Sequence, residues 1–251
     1  MIEREEFFAL ERKEQLEILL NEMKETGVNP EYIMEELYFD ENGLFYNNIA
    51  ADTEEELSEK ESFVTKIKYS NLKTQDFSEN GLCMLHKEIF GDIYDWAGQT
   101  RMMDIVKTEK QEDYIYESEY CAWYTIEPLN NNGVLKDSIE KMINDEYSCS
   151  DKEKVDKLTY HFNSLWNIHP FMDGNTRTTF KFVMDFAENI DIHFDLHKVE
   201  EFELRNLHKM LANANSSIQE LSEEYIEKVF DIMYRATDVR DEIELEKEIF
   251  L

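Results

Sequence analysis

Glycine and proline are scarce in this chain, and their scarcity limits the folds that it can adopt. Its 251 residues include 7 Gly and 3 Pro, so few positions supply the backbone angles on which tight β-turns depend. That count disfavours an all-β architecture, which needs a turn after each strand. A hydrophobic content of 42% is sufficient to bury a core in one large domain, or in one domain with a smaller appendage. The composition therefore predicts a folded, mostly α protein with long helices.

Apolar residues recur with helical spacing along most of the chain. Similar patterns predict helices in residues 3–26, 29–39, 75–91, 134–147, 177–190, 200–215 and 218–238, and a short helix capped by Thr53. Gly27 is expected to end the first of these helices, and Asn29 with Pro30 to begin the second. The pattern in residues 152–171 predicts an amphipathic helix, since its apolar residues fall three and four positions apart: Val155, Leu158, Phe162, Leu165 and Ile168.

A short stretch near the middle of the chain has the composition of β-strands. Residues 101–107 and 112–117 are rich in β-branched or aromatic side chains and flank the polar residues 108–111. This pattern predicts a small β-hairpin with its turn at residues 108–111. The predicted fold class is therefore mostly α with one small β-hairpin.

The chain carries a formal net charge of −31, from 26 Lys and Arg against 57 Asp and Glu. Such a field repels nucleic-acid phosphates and anionic lipid, so we expect no nucleic-acid partner and no membrane partner. A solvated acidic surface that aids solubility is the first interpretation, and a partner with a basic face is the second. In either case, a bound nucleotide would need positive groups concentrated at its site.

Cysteine usage and the first residues bear on the expected location. Cys83, Cys121 and Cys149 are odd in number, widely spaced and in no CxxC pair, so neither a disulfide framework nor a zinc site is expected. Residues 1–15 are charged from the third position and no run of 18 apolar residues occurs, which indicates neither a signal peptide nor a membrane-spanning helix. We therefore expect a cytoplasmic protein.

The segment HPFMDGNTRTTF, His169–Phe180, spans the junction of two predicted helices and concentrates unusual residue types. Gly174 and Asn175 tolerate uncommon backbone angles. Their N–H groups, with those of the following helical turn, would form a nest for an anion at a helix N-terminus. Arg177 falls in that first turn, where its guanidinium can bind a phosphate through two hydrogen bonds.

Further residues of this segment indicate chemistry at a bound phosphate. Asp173 beside an anion site indicates a Mg²⁺ ion that bridges the carboxylate and the phosphates. His169, at the end of the preceding helix, is placed to accept a proton from an incoming hydroxyl near neutral pH, while Pro170 and Phe171 stop that helix and anchor the loop. Taken singly, each residue also has a structural explanation as a cap, a turn or a solvated charge. Together they predict in-line attack of a hydroxyl on a phosphate of a magnesium nucleotide.

The segment resembles the signature of the Fic (filamentation induced by cAMP) family, H-P-F-x-[D/E]-G-N-[G/K]-R-x-x-R. Upstream, LHKEIFGDIYDWAGQTR at residues 85–101 is similar to the family's helix and turn that precede its target-docking hairpin. The resemblance implies a Fic-type helical bundle whose hairpin is a target-docking flap. It divides the chain into a helical N-terminal extension (residues 1–65), a Fic domain (66–235) and an acidic C-terminal tail or helix extension (236–251).

The resemblance further implies a protein adenylyltransferase, which transfers AMP from Mg²⁺-bound ATP to a Ser, Thr or Tyr hydroxyl in an extended segment of a target protein. His169 would be the general base, and Asp173 would hold Mg²⁺. The nucleotide would be bound by Gly174, Asn175, Thr176 and Arg177. The target-docking hairpin would include Met103, Asp104, Ile105, Val106, Lys107, Tyr114 and Tyr116.

Two positions depart from the signature. Thr176 stands where the family has Gly or Lys, and Phe180 stands where it has a second arginine, which binds the γ-phosphate of ATP. Three outcomes stay open: AMP transfer with looser control of the γ-phosphate, transfer of phosphate or of another nucleotidyl group, and a catalytically impaired Fic-fold binding module. Asn213 and Asn215 are candidates for contacts with the nucleotide base.

Family members are often restrained by a helix with the pattern [S/T]-x-x-x-E-[G/N]. The corresponding candidates here are Ser216 and Glu220, which are followed by Leu221 rather than Gly or Asn. The alternatives are restraint by a separate antitoxin chain, restraint by the N-terminal helices, and no restraint. The resemblance is also compatible with a toxin-like effector that is delivered into the cytoplasm of another cell.

Overall fold

In a computed structural model, the chain is described at residues 3–112, 117–124, 133–216, 219–237 and 239. Two antiparallel strands, β1 (Ile105–Glu112) and β2 (Glu117–Tyr124), occur among helices in this part of the chain. The helices are α1 (Arg4–Phe8), α2 (Arg12–Thr26), α3 (Pro30–Tyr38), α4 (Glu54–Tyr69), α5 (Glu79–Phe90), α6 (Val134–Ile143), α7 (Asp151–Ile168), α8 (Asn175–Ala187), α9 (Glu201–Arg205), α10 (Leu207–Ala214) and α11 (Gln219–Arg235). This architecture confirms the prediction of a mostly α fold. Within the described residues, no helix has the length and apolar character needed to cross a bilayer.

The chain divides into two compact units. The first comprises Met1–Leu72 and Cys83–Met103, and the second comprises Lys73–Leu82 and Asp104–Leu251. Helix α5 contributes to both, since it begins in the second unit and ends in the first. The boundaries predicted near residues 65 and 235 stay predictions. Most of the predicted C-terminal tail, residues 238 and 240–251, lies outside the described part.

Local capping signals set the helix boundaries of the first unit. Asn29 accepts a backbone N–H and Pro30 begins α3, as predicted. Gly27 ends α2 with a φ of 74°, a left-handed conformation that glycine adopts readily. The Thr53 hydroxyl caps α4, as predicted, but this helix has 16 residues and is not short.

Two predicted helices are each interrupted. Residues 3–26 form α1 and α2, because Glu11 starts a new helix through a reciprocal capping box. Residues 200–215 form α9 and α10, because the Asn206 side chain donates to the carbonyl of Phe202 at 2.8 Å and competes with helical backbone bonds. The apolar periodicity continues across both interruptions, so the pattern alone predicted one helix in each case.

Aromatic side chains form the core of the first unit. Trp96 is 2% exposed, stacks on Tyr94 with ring centroids 4.5 Å apart, and contacts Tyr38 edge-on at 5.9 Å. Burial raises the pKa of Tyr38 far above its usual range, against the opposing charges of Arg12 and Arg101. Tyr38 is therefore a neutral phenol within this core.

Polar contacts fix the segment before β1 to the N-terminal helices of the first unit. The Arg12 guanidinium donates to the carbonyl of Thr100 at 2.8 Å, to its hydroxyl at 2.9 Å, and to the carbonyl of Arg101 at 3.3 Å. Gln15, which is buried, donates to the side-chain oxygen of Gln99 at 2.8 Å. Helix α2 thus stabilises the conformation of residues 99–101.

The strand pair lies at different residues from those predicted. Its register places Ile105 opposite Tyr124 and Glu112 opposite Glu117, so the predicted turn at residues 108–111 is part of β1. The prediction was wrong because it took four polar residues for a turn, although they include no Gly, Pro, Asn or Asp to favour one. Of the predicted hairpin residues, Tyr114 and Tyr116 lie outside the described residues.

Helix α7 is central to the second unit and leads directly to the motif. It packs against α6, α8, α10 and α11. Ser150 caps its N-terminus in a capping box with Glu153. The predicted apolar stripe is its buried face, with side chains 0 to 9% exposed: Val155, Leu158, Phe162, Leu165 and Ile168. The cap and the packed face together hold the C-terminal end of α7 in a defined position.

Candidate active site

A turn of six residues joins α7 to α8, and the residues at its two ends have left-handed backbones. His169 (φ 51°) follows the last residue of α7 and donates its N–H to the carbonyl of Trp166 at 3.0 Å. Gly174 (φ 73°) is the N-cap of α8 and adopts this conformation without the steric penalty of a Cβ. The motif is therefore a tight helix–turn–helix, with His169 at one end and the N-terminus of α8 at the other.

The side chain of Asn175 closes this turn. Its Oδ1 accepts the N–H of Phe171 at 2.8 Å, and its Nδ2 donates to the carbonyl of Phe171 at 2.7 Å. Asn175 is 2% exposed and Phe171 is fully buried, so both hydrogen bonds lie away from water, where they hold the loop in one conformation. A contact between Asn175 and a nucleotide would therefore come from its backbone N–H, as the predicted anion nest requires.

The first turn of α8 has the geometry of an anion site. Its first intrahelical bond runs from the N–H of Thr178 to the carbonyl of Gly174 at 3.0 Å, so the N–H groups of residues 175–177 point beyond the helix end. The helix dipole adds partial positive charge there. The half-buried Arg177 belongs to the same turn. These features are compatible with the predicted phosphate site.

Asp173 is the residue before the N-cap of α8. It is half-buried, and its Oδ1 accepts the N–H of Gly174 at 2.8 Å. A carboxylate accepts several bonds at once, so this contact is compatible with ligation of a metal ion. Among the described residues, no three His, Cys, Asp or Glu side chains are grouped closely enough to hold a metal ion. A Mg²⁺ at Asp173 would therefore take its other ligands from phosphate oxygens and water, as this ion commonly does.

Trp166 was not among the predicted site residues, yet it contacts two of them. Its indole N–H donates to the hydroxyl of Thr176 at 2.8 Å. Its ring meets that of His169 at 90°, with centroids 5.3 Å apart. Trp166 and His169 are 1% and 3% exposed. The sequence did contain a signal for the contact with His169: residues 166 and 169 are three apart near a helix end, and such residues lie on one face.

Phe180 belongs to the apolar core of the second unit. It is 4% exposed, and its ring centroid lies 5.1 Å from that of Phe162 and 6.1 Å from that of Phe194. In this chain, the residue at the position of the signature's second arginine is thus Phe180, which packs in the core. The next residue, Lys181, forms a buried ion pair with Asp185 at 2.6 Å.

The two candidate base contacts differ in their surroundings. The Asn215 amide donates to the side chain of Asn163 at 2.7 Å and to the carbonyl of Leu211 at 2.7 Å, which fixes the end of α10 to α7. Asn213 is 6% exposed, and its Nδ2 makes no hydrogen bond within the described part of the chain. Asn213 is therefore the better candidate of the two.

The remaining predicted residues lie outside the turn. Glu220 is an exposed residue in the first turn of α11, and Ser216 precedes that helix. Their inhibitory role stays a prediction. Ile105, at the start of β1, is 8% exposed, so it would meet a target through its backbone. Of the other predicted docking residues, Met103 and Asp104 precede β1, and Val106 and Lys107 lie within it.

Residues 76–187 match the sequence profile of the Fic/DOC family. The protein adenylyltransferase VbhT of Bartonella schoenbuchensis is 27% identical over 168 residues, which are 65% of this chain and 33% of that protein. The probable protein adenylyltransferase Fic of Salmonella typhimurium is 28% identical over 94 residues, 38% of this chain and 42% of that protein. The chain thus spans less than half the length of both relatives.

The fold also has counterparts among solved structures. The crystal structure of BepC from Bartonella tribocorum, a VirB-translocated effector with bound AMPPNP, aligns with a TM-score of 0.57 over 81% of this chain and 97% of that one. Their sequence identity is 17%, so this likeness concerns the fold. The profile match includes the whole segment from His169 to Phe180, and the helical fold agrees with it. The similarity to the Fic/DOC family therefore extends over residues 76–187, and the candidate site lies within it.

Proposed function

We propose that this chain is a protein adenylyltransferase, which transfers AMP from Mg²⁺-bound ATP to a hydroxyl group of a target protein. The observation that carries the proposal is the loop closed by Asn175, because it presents a buried histidine at one end and a helix N-terminus at the other. Two relatives bear the name adenylyltransferase or probable adenylyltransferase, and the BepC structure contains AMPPNP. These similarities support nucleotide chemistry at the motif.

His169 accepts the proton of the target hydroxyl, whose oxygen attacks the α-phosphorus of ATP. The bond from the α-phosphorus to the oxygen that bridges to the β-phosphate breaks, and pyrophosphate leaves with the bonding electrons. The N–H groups at the start of α8 and the dipole of that helix stabilise the negative charge that develops on the α-phosphate. His169 is 3% exposed, so the transfer takes place away from bulk water, where such interactions are strong.

Asp173 and Arg177 hold the phosphates of the nucleotide. The carboxylate of Asp173 holds Mg²⁺, which neutralises phosphate charge when bound. Arg177, in the first turn of α8, contacts the β-phosphate. Because Phe180 is packed in the core, no cation from that position reaches the γ-phosphate. We therefore expect ADP to bind about as tightly as ATP.

Asn213 contacts the nucleotide base. A buried amide nitrogen that makes no hydrogen bond raises the free energy of the folded protein. An acceptor atom on the base would satisfy the Asn213 amide and offset that cost. An Asn side chain can also donate to and accept from adenine at the same time, which favours ATP over GTP.

The target binds through its backbone to the two-stranded sheet. An extended segment can add a strand to an exposed sheet edge, and its Ser, Thr or Tyr hydroxyl would then reach His169. The hydrogen bonds in this mode are made by the main chain, so the sequence of the target is loosely restricted. The reaction takes place in a cytoplasm, either that of the cell that makes the protein or that of a cell into which it is delivered.

The proposal is tested by transfer of label from ATP. The purified protein is incubated with Mg²⁺, a cell lysate and ATP labelled at either the α- or the γ-phosphate. We expect protein-bound label from α-labelled ATP alone, and loss of that label in His169→Ala. His197→Ala is the matched control, because His197 is exposed and distant in sequence from the motif.

Each contrary outcome has a distinct meaning. Label from γ-labelled ATP alone would contradict AMP transfer and support a phosphotransferase. The absence of label from any nucleotide, together with the absence of Mg²⁺-ATP binding in calorimetry, would support a Fic-fold binding module without catalysis.

A further inference from the structure

We infer that Thr176 is a positioning residue, which orients the general base His169 through the indole of Trp166. This inference rests on the proposed function, because it concerns the base of that reaction. It assigns a role to one of the two residues at which the chain departs from the family signature.

The hydrogen bond between Trp166 and Thr176 connects the last turn of α7 to the first turn of α8. The indole N–H donates to the threonine hydroxyl at 2.8 Å. Trp166 is 1% exposed, so its N–H needs a protein acceptor to avoid a large desolvation cost. Neither residue that the signature has at this position could serve, since glycine has no side chain and lysine has no side-chain acceptor. The hydroxyl of Thr176 therefore supplies the acceptor that the indole N–H of Trp166 requires.

Trp166 in turn contacts His169 in two ways. Its backbone carbonyl accepts the N–H of His169 at 3.0 Å. Its ring packs perpendicular to the imidazole, with centroids 5.3 Å apart, which is within the favoured range for edge-to-face aromatic pairs. The plane of the imidazole is therefore tied to the plane of the indole.

His169 needs such a restraint because of its place in the chain. It follows the end of α7 and has a left-handed backbone (φ 51°), so regular helical packing does not dictate its side-chain direction. A general base works only when its nitrogen lies within hydrogen-bonding distance of the reacting hydroxyl. Rotation of the indole after loss of the Thr176 bond would displace the imidazole from that position.

Three substitutions separate this role from simple packing. Thr176→Val keeps the shape and removes the acceptor, Thr176→Ser keeps the hydroxyl, and Trp166→Phe removes the donor but keeps a ring beside His169. The matched control is Thr178→Val. Thr178 is fully buried on the same helix, and its hydroxyl makes no hydrogen bond within the residues that the structure describes.

The first measurement is independent of catalysis. In NMR spectra, the indole N–H of Trp166 should exchange slowly with solvent in the wild type, in Thr176→Ser and in Thr178→Val. In Thr176→Val it should exchange at least about tenfold faster, because its hydrogen bond is lost. The pH titration of the His169 imidazole should change in Thr176→Val and keep its wild-type midpoint in Thr178→Val.

The second measurement is the kinetics of AMP transfer. Thr176→Val should lower kcat by about tenfold with a KM for ATP within about twofold of wild type, since a misplaced base affects the transition state and not nucleotide binding. Thr176→Ser should restore kcat, and the effects of Thr176→Val and Trp166→Phe should be non-additive. A wild-type kcat and an unchanged His169 titration in Thr176→Val would overturn the inference. If the wild type transfers no AMP, the proposed function fails, and the NMR measurement still decides whether Thr176 orients His169.

Discussion

Replacing Asn175 by alanine removes both hydrogen bonds that close the turn at the candidate site. The N–H and the carbonyl of Phe171 would then lose these two hydrogen bonds, of 2.8 and 2.7 Å. Phe171 is fully buried and Asn175 is 2% exposed, so bulk water does not replace the lost bonds. Each unsatisfied buried group costs about 1–3 kcal/mol. We therefore expect the free energy of unfolding to fall by about 3 kcal/mol, a large part of the roughly 5–15 kcal/mol of a typical protein.

The assay is urea unfolding followed by circular dichroism, with Mg²⁺-ATP binding measured by calorimetry on the same samples. Asn175→Asp keeps an acceptor for the Phe171 N–H and loses the donor, so it should destabilise the protein too. Asn215→Ala is the control, because the Asn215 side chain also makes hydrogen bonds, to Asn163 and to the carbonyl of Leu211, but is only half-buried. A loss of about 1 kcal/mol is expected there. If Asn175→Ala has a free energy of unfolding within about 0.5 kcal/mol of wild type and binds nucleotide equally well, Asn175 does not hold the turn.

The other predictions concern single residues of both units. Phe180→Arg should destabilise the protein by about 3 kcal/mol, because it places a charge in an apolar core, and calorimetry should show no gain in ATP affinity. The hydrogen bond from Lys157 lowers the pKa of Asp145 to about 2. The stability that this carboxylate supplies is complete above its unfolded pKa near 4 and is lost as the pH falls toward 2. After reduction by solvent screening, this contribution is about 1 kcal/mol. Unfolding of Asp145→Asn, measured as a function of pH, should lack it. Arg12→Ala should lower the free energy of unfolding by about 1–2 kcal/mol, since it removes the bonds to Thr100.

Contrary results for these variants are equally specific. Tighter ATP binding by Phe180→Arg would mean that this side chain can leave the core and reach the phosphates. If Asp145→Asn loses stability below pH 4 in the same way as the wild type, the ion pair of Asp145 is screened by solvent. A thermal midpoint equal to that of wild type in Arg12→Ala would mean that residues 99–101 are held by other contacts.

The elements that the sequence predicted well are those with strong local signals. The buried stripe of α7 follows from apolar residues three and four positions apart, and the cap at Asn29 and the stop at Gly27 follow from side-chain chemistry and backbone freedom. The turn between α7 and α8 was predicted from Gly174 between two periodic segments. These signals lie within a few residues of the structure that they determine.

The features that escaped prediction depend on contacts between distant residues or on competition among local bonds. The register of β1 and β2 is set by pairing across the strands, which no local pattern specifies. Whether Phe180 faces a ligand or the core depends on Phe194, which lies in a later segment. The contact between Trp166 and Thr176 requires the intervening turn to bring two helix ends together. Sequence spacing alone does not give that geometry.

The identity of the leaving group distinguishes AMP transfer from phosphate transfer. Phosphorus NMR can follow ATP during a reaction of the purified protein with Mg²⁺ and an acceptor protein identified by α-label transfer. We expect pyrophosphate in an amount equal to that of the modified acceptor, and neither product with His169→Ala. Release of ADP in place of pyrophosphate, or an undiminished rate in His169→Ala, would contradict AMP transfer by this histidine.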